Sequence, residues 1–164
     1  MNGYSTSGWE NFFVAEVGAS AALTGLLFVA VSINLSRVLA YPQLPGRAAE
    51  TLIVLVGALA ASSFGLVPGQ PVRALGAEIL GAGALMWLVP VRMQLGVRAR
   101  PGDPRSWMLT RVVTHQFATL PFLACGGSVL AGTGGGLYWL VPGIILSFTA
   151  GIANAWVLLV EIQR

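Results

Sequence analysis

Glu16 is the residue of this sequence best suited to chemistry, because it lies inside a long apolar segment. A carboxylate in such surroundings is costly, so it faces the interior of a helix bundle or reaches water. In the first case Glu16 could pass a proton between two environments. In the second case it lies close to the outer surface and only orients its segment. The sequence leaves both interpretations open.

Two further titratable residues, Glu78 and His115, lie near the ends of other apolar segments. Glu78 could approach Glu16 or Arg73, and we expect an ordinary interfacial pair there because the spacing of the two Glu residues matches no enzyme motif. His115 can titrate near neutral pH, although hydrogen-bonded packing at a membrane edge is the commoner role. A single His cannot complete a two-His haem site or a multi-His metal site. We expect no catalytic residues, no metal and no cofactor.

Uncharged polar residues could join these three in one polar path. Ser20 and Thr24 fall on the same side of a helix as Glu16. Asn34 and Asn154 fall in the inner halves of two helices and could hydrogen-bond to each other, with packing as the preferred role. The complete set of candidate path residues is Glu16, Ser20, Thr24, Asn34, Glu78, His115 and Asn154.

Composition determines which elements must hold these side chains. Of the 164 residues, 55% are hydrophobic and only 9% are charged, whereas a soluble domain carries about 25% charged residues. So few charged residues cannot form the polar surface that a soluble protein needs. The outer surface of this protein must therefore face lipid. The sequence therefore predicts an all-α, polytopic transmembrane helix bundle, with residues 1–164 as a single transmembrane domain.

Five segments are long enough to span a bilayer, which takes about 20 apolar residues. Residues 112–160 carry no charge except a potential one on His115, and as one helix they would extend about 74 Å, more than twice the hydrocarbon thickness. This stretch must therefore turn back, and the glycine-rich residues 132–136 are the place. The predicted spans are residues 11–36, 48–67, 74–91, 106–130 and 137–161.

The distribution of Arg predicts the orientation, because cytoplasmic loops carry an excess of positive charge. With the N-terminus outside and the C-terminus in the cytoplasm, only Arg73 lies outside. Trp9 and Tyr138 then fall at the outer interface, where aromatic residues concentrate. The cytoplasmic side receives Arg37, Arg47, Arg92, Arg98, Arg100, Arg105, Arg111 and Arg164.

Small residues at helical spacing predict how the helices pack, because close approach in lipid depends on them. The first helix has a small-residue face opposite the side of Glu16, Thr24 and Asn34, so we expect it near the centre of the bundle. The predicted packing residues are Gly18, Gly25 and Ser32 on the first helix, Gly57, Ala61 and Gly65 on the second, and Gly143, Ser147 and Gly151 on the fifth.

The first helix also carries a resemblance to a known group of proteins. Residues 18–35 read GASAALTGLLFVAVSINL, and this segment resembles the opening of a family of small, uncharacterised bacterial integral membrane proteins. The resemblance implies a multi-pass protein of the bacterial cytoplasmic (inner) membrane. It supplies no activity.

Two functions remain open at this point. A net charge of +3 would suggest nucleic acid for a soluble protein, but here orientation in the bilayer explains the Arg residues, so we expect no nucleic acid. We expect a non-enzymatic accessory subunit or oligomeric scaffold, whose partners are the lipid bilayer and other copies or another membrane protein. The alternative is a small oligomeric ion or proton channel or carrier, with its polar path along the first helix. An odd number of helices argues against a two-repeat transporter within one chain.

Overall fold

The structure, a computed structural model, describes residues 3–41, 44–96 and 105–159. Within these ranges the chain is helical and forms no strand, which confirms the predicted all-α class. The last two residues of the fifth predicted span lie outside the described residues, as do Arg98, Arg100 and Arg164. The helices are α1 (Glu10–Ile33), α2 (Leu35–Ala40), α3 (Leu44–Phe64), α4 (Val72–Gly96), α5 (Arg105–Ala131), a short 3-10 helix (Gly136–Trp139) and α6 (Leu140–Leu159).

Among the described residues, four segments are long and apolar enough to cross a membrane: Glu10–Ile33, Leu44–Phe64, Val72–Gly96 and Gly136–Trp156. They correspond to α1, α3, α4 and the 3-10 helix with most of α6, and they fit a membrane protein. α5 has 27 residues but does not belong to this set. Its first half carries Arg111, His115 and Gln116, which lower its hydropathy.

Long helices that follow one another in the chain run antiparallel. A Cβ built on Gly65 would lie 2.6 Å from the ring of Phe13, and one built on Gly126 would lie 2.6 Å from the backbone nitrogen of Leu80. These contacts place the end of α3 beside the start of α1, and the end of α5 beside the start of α4. Leu137 N donates to Gly3 O at 2.8 Å, which brings the start of α6 to the N-terminal segment.

The bundle therefore has two ends. The Trp9 end holds the starts of α1, α4 and α6 and the ends of α3 and α5. The Arg47 end holds the opposite termini. At the Trp9 end, Trp9 is buried and its ring centroid lies 5.0 Å from that of Tyr138.

Local chemistry explains where the helices differ from the predicted spans. α3 begins at Leu44, one turn before the predicted start at residue 48. Pro45 is compatible with this start because backbone N–H groups in the first turn of a helix have no partner within the helix, so the missing N–H of Pro costs no hydrogen bond. α1 ends at Ile33, three residues before the predicted end at residue 36. Asn34 follows it with φ −103° and ψ 18°, and its amide Nδ2 donates to Ala30 O at 3.0 Å. α2 continues from there to Ala40.

α3, rather than α1, occupies the middle of the bundle. It contacts α1, α4 and α6, and ten of its residues are buried. On α1 only Phe13, Ser20, Leu27 and Ala30 are buried. The prediction that the first helix lies at the centre is therefore wrong. Its outer face carries side chains such as Leu26 and Phe28, which lipid can cover.

Candidate functional site

A buried ion pair joins α5 to α3 at the Arg47 end. Arg111 Nη2 lies 2.6 Å from Glu50 Oε1, and Arg111 Nε donates to Glu50 Oε2 at 2.9 Å. The exposed fractions of the two side chains are only 7% and 8%. Two parallel bonds of this kind are the strongest geometry available to a guanidinium and a carboxylate. Each charge depends on the other, because either one alone would be buried without compensation.

α4 contributes to the same cluster through amide and ring groups. Gln94 Nε2 donates to Glu50 Oε2 at 3.3 Å, so the Glu50 carboxylate binds both neighbouring helices. Trp87 Nε1 donates to Gln116 Oε1 at 2.7 Å, and His115 Nε2 lies 3.4 Å from Trp87 O. α4 and α5 are thus linked by polar groups as well as by packing.

α6 is linked to α3 through Asn154. Arg47 Nε donates to Asn154 Oδ1 at 2.8 Å, and Asn154 Nδ2 donates to Thr51 Oγ1 at 2.7 Å. Thr51 in turn donates to Arg47 O at 2.9 Å. Glu50 and Thr51 follow Arg47 by three and four positions, about one turn, so these three side chains share one face of α3 that points towards the other helices. We call these residues, with Gln94, Arg111 and Asn154, the polar cluster.

A cavity of about 190 Å³ lies beside the polar cluster, between α3, α5 and α6. Polar groups line one part of it and small apolar residues line the rest. The exposed residues of this lining, Thr110, Thr114 and Ala153, lie on α5 and α6, so the cavity opens between these two helices. The lining consists of Arg47, Glu50, Thr51, Val54, Thr110, Arg111, Thr114, His115, Ala118, Ser147, Ala150, Gly151, Ala153 and Asn154.

Of the seven residues predicted to form a polar path, the structure brings His115 and Asn154 to this cavity. Thr24 and Asn34 instead donate to carbonyl groups of their own helix, at Ser20 O and Ala30 O. Asn34 and Asn154, which by their positions in the sequence could hydrogen-bond to each other, therefore have other partners. Asn34 satisfies its amide locally, while Asn154 faces α3.

The remaining path residues lie towards the Trp9 end. Glu78 Oε2 accepts from Gln70 Nε2 at 2.6 Å, and the described side chains include no ion pair between Glu78 and Arg73. One oxygen of Glu16 and the hydroxyl of Ser20 are buried without a hydrogen-bond partner, as is the hydroxyl of Ser62. The structure therefore separates Glu16 from the polar cluster.

The predicted packing residues fall into two groups. A Cβ on Gly57 would meet Met86, one on Gly143 would meet Phe122 and one on Gly151 would meet Leu55. Ala61 and Ser147 are fully buried, and Ser147 Oγ lies 3.3 Å from Ala118 O of α5. On α1, by contrast, a Cβ on Gly18 or Gly25 would meet nothing within 4 Å, and Ser32 is exposed.

Sequence reasoning missed most of the polar cluster, above all Glu50 and Arg111. A signal was present, because both charges lie inside predicted spans, near the same end of the bundle. Charged residues in such positions face the bundle interior and pair with one another. The Arg residues enter the sequence-based prediction only through the orientation, and Glu50 does not enter it.

The described residues include no group of three or more His, Cys, Asp or Glu that could hold a metal ion. Comparisons with protein-family models, with curated proteins and with solved structures give no match. The geometry of the cluster and its cavity is therefore the basis for a functional proposal.

Proposed function

We propose that this chain is a non-enzymatic, multi-pass protein of a bacterial cytoplasmic membrane and serves as an accessory subunit or oligomeric scaffold. The polar cluster is the observation that carries the proposal. Its hydrogen bonds and ion pair tie α3, α4, α5 and α6 together at the Arg47 end. A carboxylate whose two oxygens already accept from Arg111 and Gln94 positions helices, and it is poorly placed to act as a base.

The proposed topology has five spans, with α5 as the fourth. α5 runs beside α4, from the contact of Gly126 with Leu80 at one end to the contact of Trp87 with Gln116 in its first half. Arg111 of α5 faces the cluster and is largely buried in the pair with Glu50. A helix that lies alongside a membrane-spanning neighbour and turns its charges inwards can cross the same bilayer.

The proposed orientation puts the Arg47 end in the cytoplasm. Among the arginines whose side chains are described, only Arg73 lies at the Trp9 end. An excess of Arg marks the cytoplasmic side, so the N-terminus is outside. The arginines at the opposite end are Arg37, Arg47, Arg92 and Arg111.

The scaffold role requires a surface that another membrane protein or another copy can approach. The outer face of α1 is such a surface. Gly18, Gly25 and Ser32 follow one another there at seven-residue spacing, and another helix could approach the backbone closely at these small, exposed residues. Small residues allow close helix approach in lipid. The described connections between helices are short, so most contact with a partner would occur inside the bilayer.

Crosslinking in native membranes, followed by co-purification, tests this proposal. A partner or a defined oligomer is expected, and Gly25→Leu should weaken its recovery. Gly127→Leu is the matched control, because Gly127 is also exposed with nothing within 4 Å of its Cβ position but lies on α5. Recovery of the monomer alone would contradict the scaffold role.

The cavity favours a second candidate, a small oligomeric ion or proton channel or carrier. His115 and Asn154 both line this cavity, which lies in one half of the bundle only. Flux measurements in liposomes separate the two candidates. A carrier predicts flux that His115→Phe reduces, with Glu16→Gln testing the proton-passing role of Glu16. Absence of flux under any imposed gradient would reject this candidate.

A further inference from the structure

We propose that Glu16 and Ser20 of α1, together with Ser62 of α3, form a binding site for a monovalent metal cation. The site lies where α1 packs against α3, towards the Trp9 end of the bundle and away from the polar cluster. This inference goes beyond the scaffold role and does not depend on it, because a single chain supplies all three side chains. A partner can be recovered whether or not the site binds an ion.

Two contacts set the register of α1 against α3 on either side of this site. Near the Trp9 end, the ring of Phe13 lies 2.6 Å from the position of a Cβ built on Gly65. Further along, Leu27 and Leu55 pack in one buried cluster and line the same groove. Because α1 and α3 run antiparallel, the residues between Phe13 and Leu27 lie level with those between Leu55 and Gly65.

The three polar residues lie between these two contacts, on the sides of the helices that meet. Ser20 is seven positions from each contact residue of α1, so it shares their face. Glu16 lies one turn before Ser20 and is its neighbour on the helix surface. On α3, Ser62 is seven positions from Leu55 and three from Gly65. Ser62 therefore comes opposite the turn of α1 that carries Glu16 and Ser20.

The hydroxyl groups of Ser20 and Ser62 are available to a ligand. Both residues are fully buried, and within the described part of the chain neither hydroxyl has a hydrogen-bond partner. A hydroxyl in a helix commonly donates to the carbonyl group four residues earlier, as Thr24 does and as Ser63, the neighbour of Ser62, does. Ser20 and Ser62 do not, and each oxygen keeps two lone pairs that a cation can bind.

Glu16 supplies the negative charge of the site. One of its carboxylate oxygens is buried without a hydrogen-bond partner, as far as the described residues show. In α1 and its two main neighbours, α3 and α6, the only basic residue is Arg47. Arg47 lies about 22 Å along α3 from Ser62, at 1.5 Å per residue. A buried carboxylate requires a positive partner, and a bound cation would provide it.

The ligand atoms determine which class of ion fits. Carboxylate and hydroxyl oxygens suit hard cations and are poor ligands for soft transition metals. One carboxylate balances one positive charge, and the described residues include no group of three or more His, Cys, Asp or Glu that could neutralise a divalent ion. An alkali metal cation is therefore the best match. Glu16 is only partly buried, which gives the ion a route from the surface.

Equilibrium dialysis of radiolabelled sodium chloride against the purified, detergent-solubilised protein in choline chloride buffer tests the proposal. The wild type should bind sodium. Glu16→Gln and Ser62→Ala should each weaken binding at least about tenfold, because each removes an oxygen ligand or its charge. Glu10→Gln and Ser63→Ala are the matched controls, because both residues are exposed and lie outside the site. Both controls should bind as the wild type does.

Thermal unfolding separates a ligand role of Ser62 from a packing role. An ion that binds only the folded protein raises its Tm, so the wild type should have a higher Tm in sodium chloride than in choline chloride. Ser62→Ala should lose this difference. In choline chloride it should be at least as stable as the wild type, because it removes a buried hydroxyl without a partner. A Ser62→Ala variant that keeps the full difference would overturn the proposal.

Competitors identify the class of ion. Excess unlabelled sodium chloride or potassium chloride should displace the label, whereas magnesium chloride at the same ionic strength should not. Displacement by magnesium as effective as that by sodium would replace the proposal with a general attraction of cations to carboxylates. No sodium binding at millimolar concentration, or equal binding by Glu16→Gln, would also overturn the proposal.

Discussion

Arg111 of α5 and Glu50 of α3 meet through two parallel contacts, of 2.6 and 2.9 Å, at positions 61 residues apart in the chain. Both side chains are more than nine-tenths buried. Without the other, each residue would be an uncompensated charge buried in an apolar bundle. The pair therefore fixes how α5 lies against α3, and it organises the polar cluster around the cavity.

Breaking this pair from one side should destabilise the protein strongly. Glu50→Gln leaves Arg111 buried beside a neutral amide, and we expect the free energy of unfolding to fall by about 3–5 kcal/mol. Glu10→Gln is the control, since Glu10 is exposed in the first turn of α1. Equilibrium unfolding in mixed micelles, followed by circular dichroism, gives both values.

The double variant Glu50→Leu with Arg111→Met removes both charges together. It should lose less stability than Glu50→Gln alone, because no buried charge remains without a partner. A double variant at least as unstable as the single one would show that the cluster does more than balance two charges.

The link between α3 and α6 should be visible as coupling between Asn154 and Thr51. We expect a double-mutant cycle with Asn154→Leu and Thr51→Val to give a coupling energy of about 0.6–1.7 kcal/mol, the range for interhelical hydrogen bonds in membranes. Thr149→Val replaces Thr51→Val in the control cycle, because Thr149 on α6 donates only to Ile145 O of its own helix. Coupling in the control cycle as large as in the test cycle would contradict a specific bond.

Two adjacent glycines on α5 should respond oppositely to Ala. A Cβ on Gly126 would lie 2.6 Å from Leu80 N and 2.7 Å from Gly76 O, both backbone atoms that cannot move aside. Gly126→Ala should therefore cost about 1–3 kcal/mol of stability through overpacking. Gly127→Ala meets nothing within 4 Å and should be neutral or stabilising by up to about 1 kcal/mol. Thermal unfolding of the two variants compares them, and a similar Tm for both would refute the close contact of α4 with α5.

Cysteine labelling tests the proposed orientation. Cys125 is buried, so Cys125→Ala provides the background. Val67→Cys and Thr133→Cys at the Trp9 end should react with a membrane-impermeant thiol reagent from outside, and Ser36→Cys only after the cytoplasmic side is opened. Thr133 lies beyond α5, so its labelling from the cytoplasmic side would show that α5 does not cross. A further cysteine in residues 98–105 should react only from the cytoplasm.

Much of the fold was readable from the sequence because it depends on local properties. The long helices can be located to within a few residues from three features: the length of the apolar segments, the glycine-rich turn at residues 132–136 and the positions of the prolines. Pro45 shows the limit, since it lies between the first two predicted spans and is in fact in the first turn of α3. A Pro near a helix end fits either role until the helix itself is seen.

The placement of side chains was not readable in the same way. On α1, Gly18, Gly25 and Ser32 form a regular small-residue face, yet the structure leaves that face open. Similar spacing on α3 and α6 meets neighbouring helices, at Met86 and Phe122 for example. Helical periodicity defines a face, but it does not say which neighbour, if any, the face will meet.

The sequence by itself determined that this chain is a bundle of apolar helices, because hydropathy and helix length follow from residues that are neighbours in the chain. Tertiary structure alone decided that Glu50 finds Arg111, that Asn154 turns to Arg47 and Thr51 rather than to Asn34, and that a cavity opens beside them. These pairings join residues up to 107 positions apart. Which buried charge meets which depends on helix rotation and packing, and the free energy of those contacts belongs to the assembled bundle.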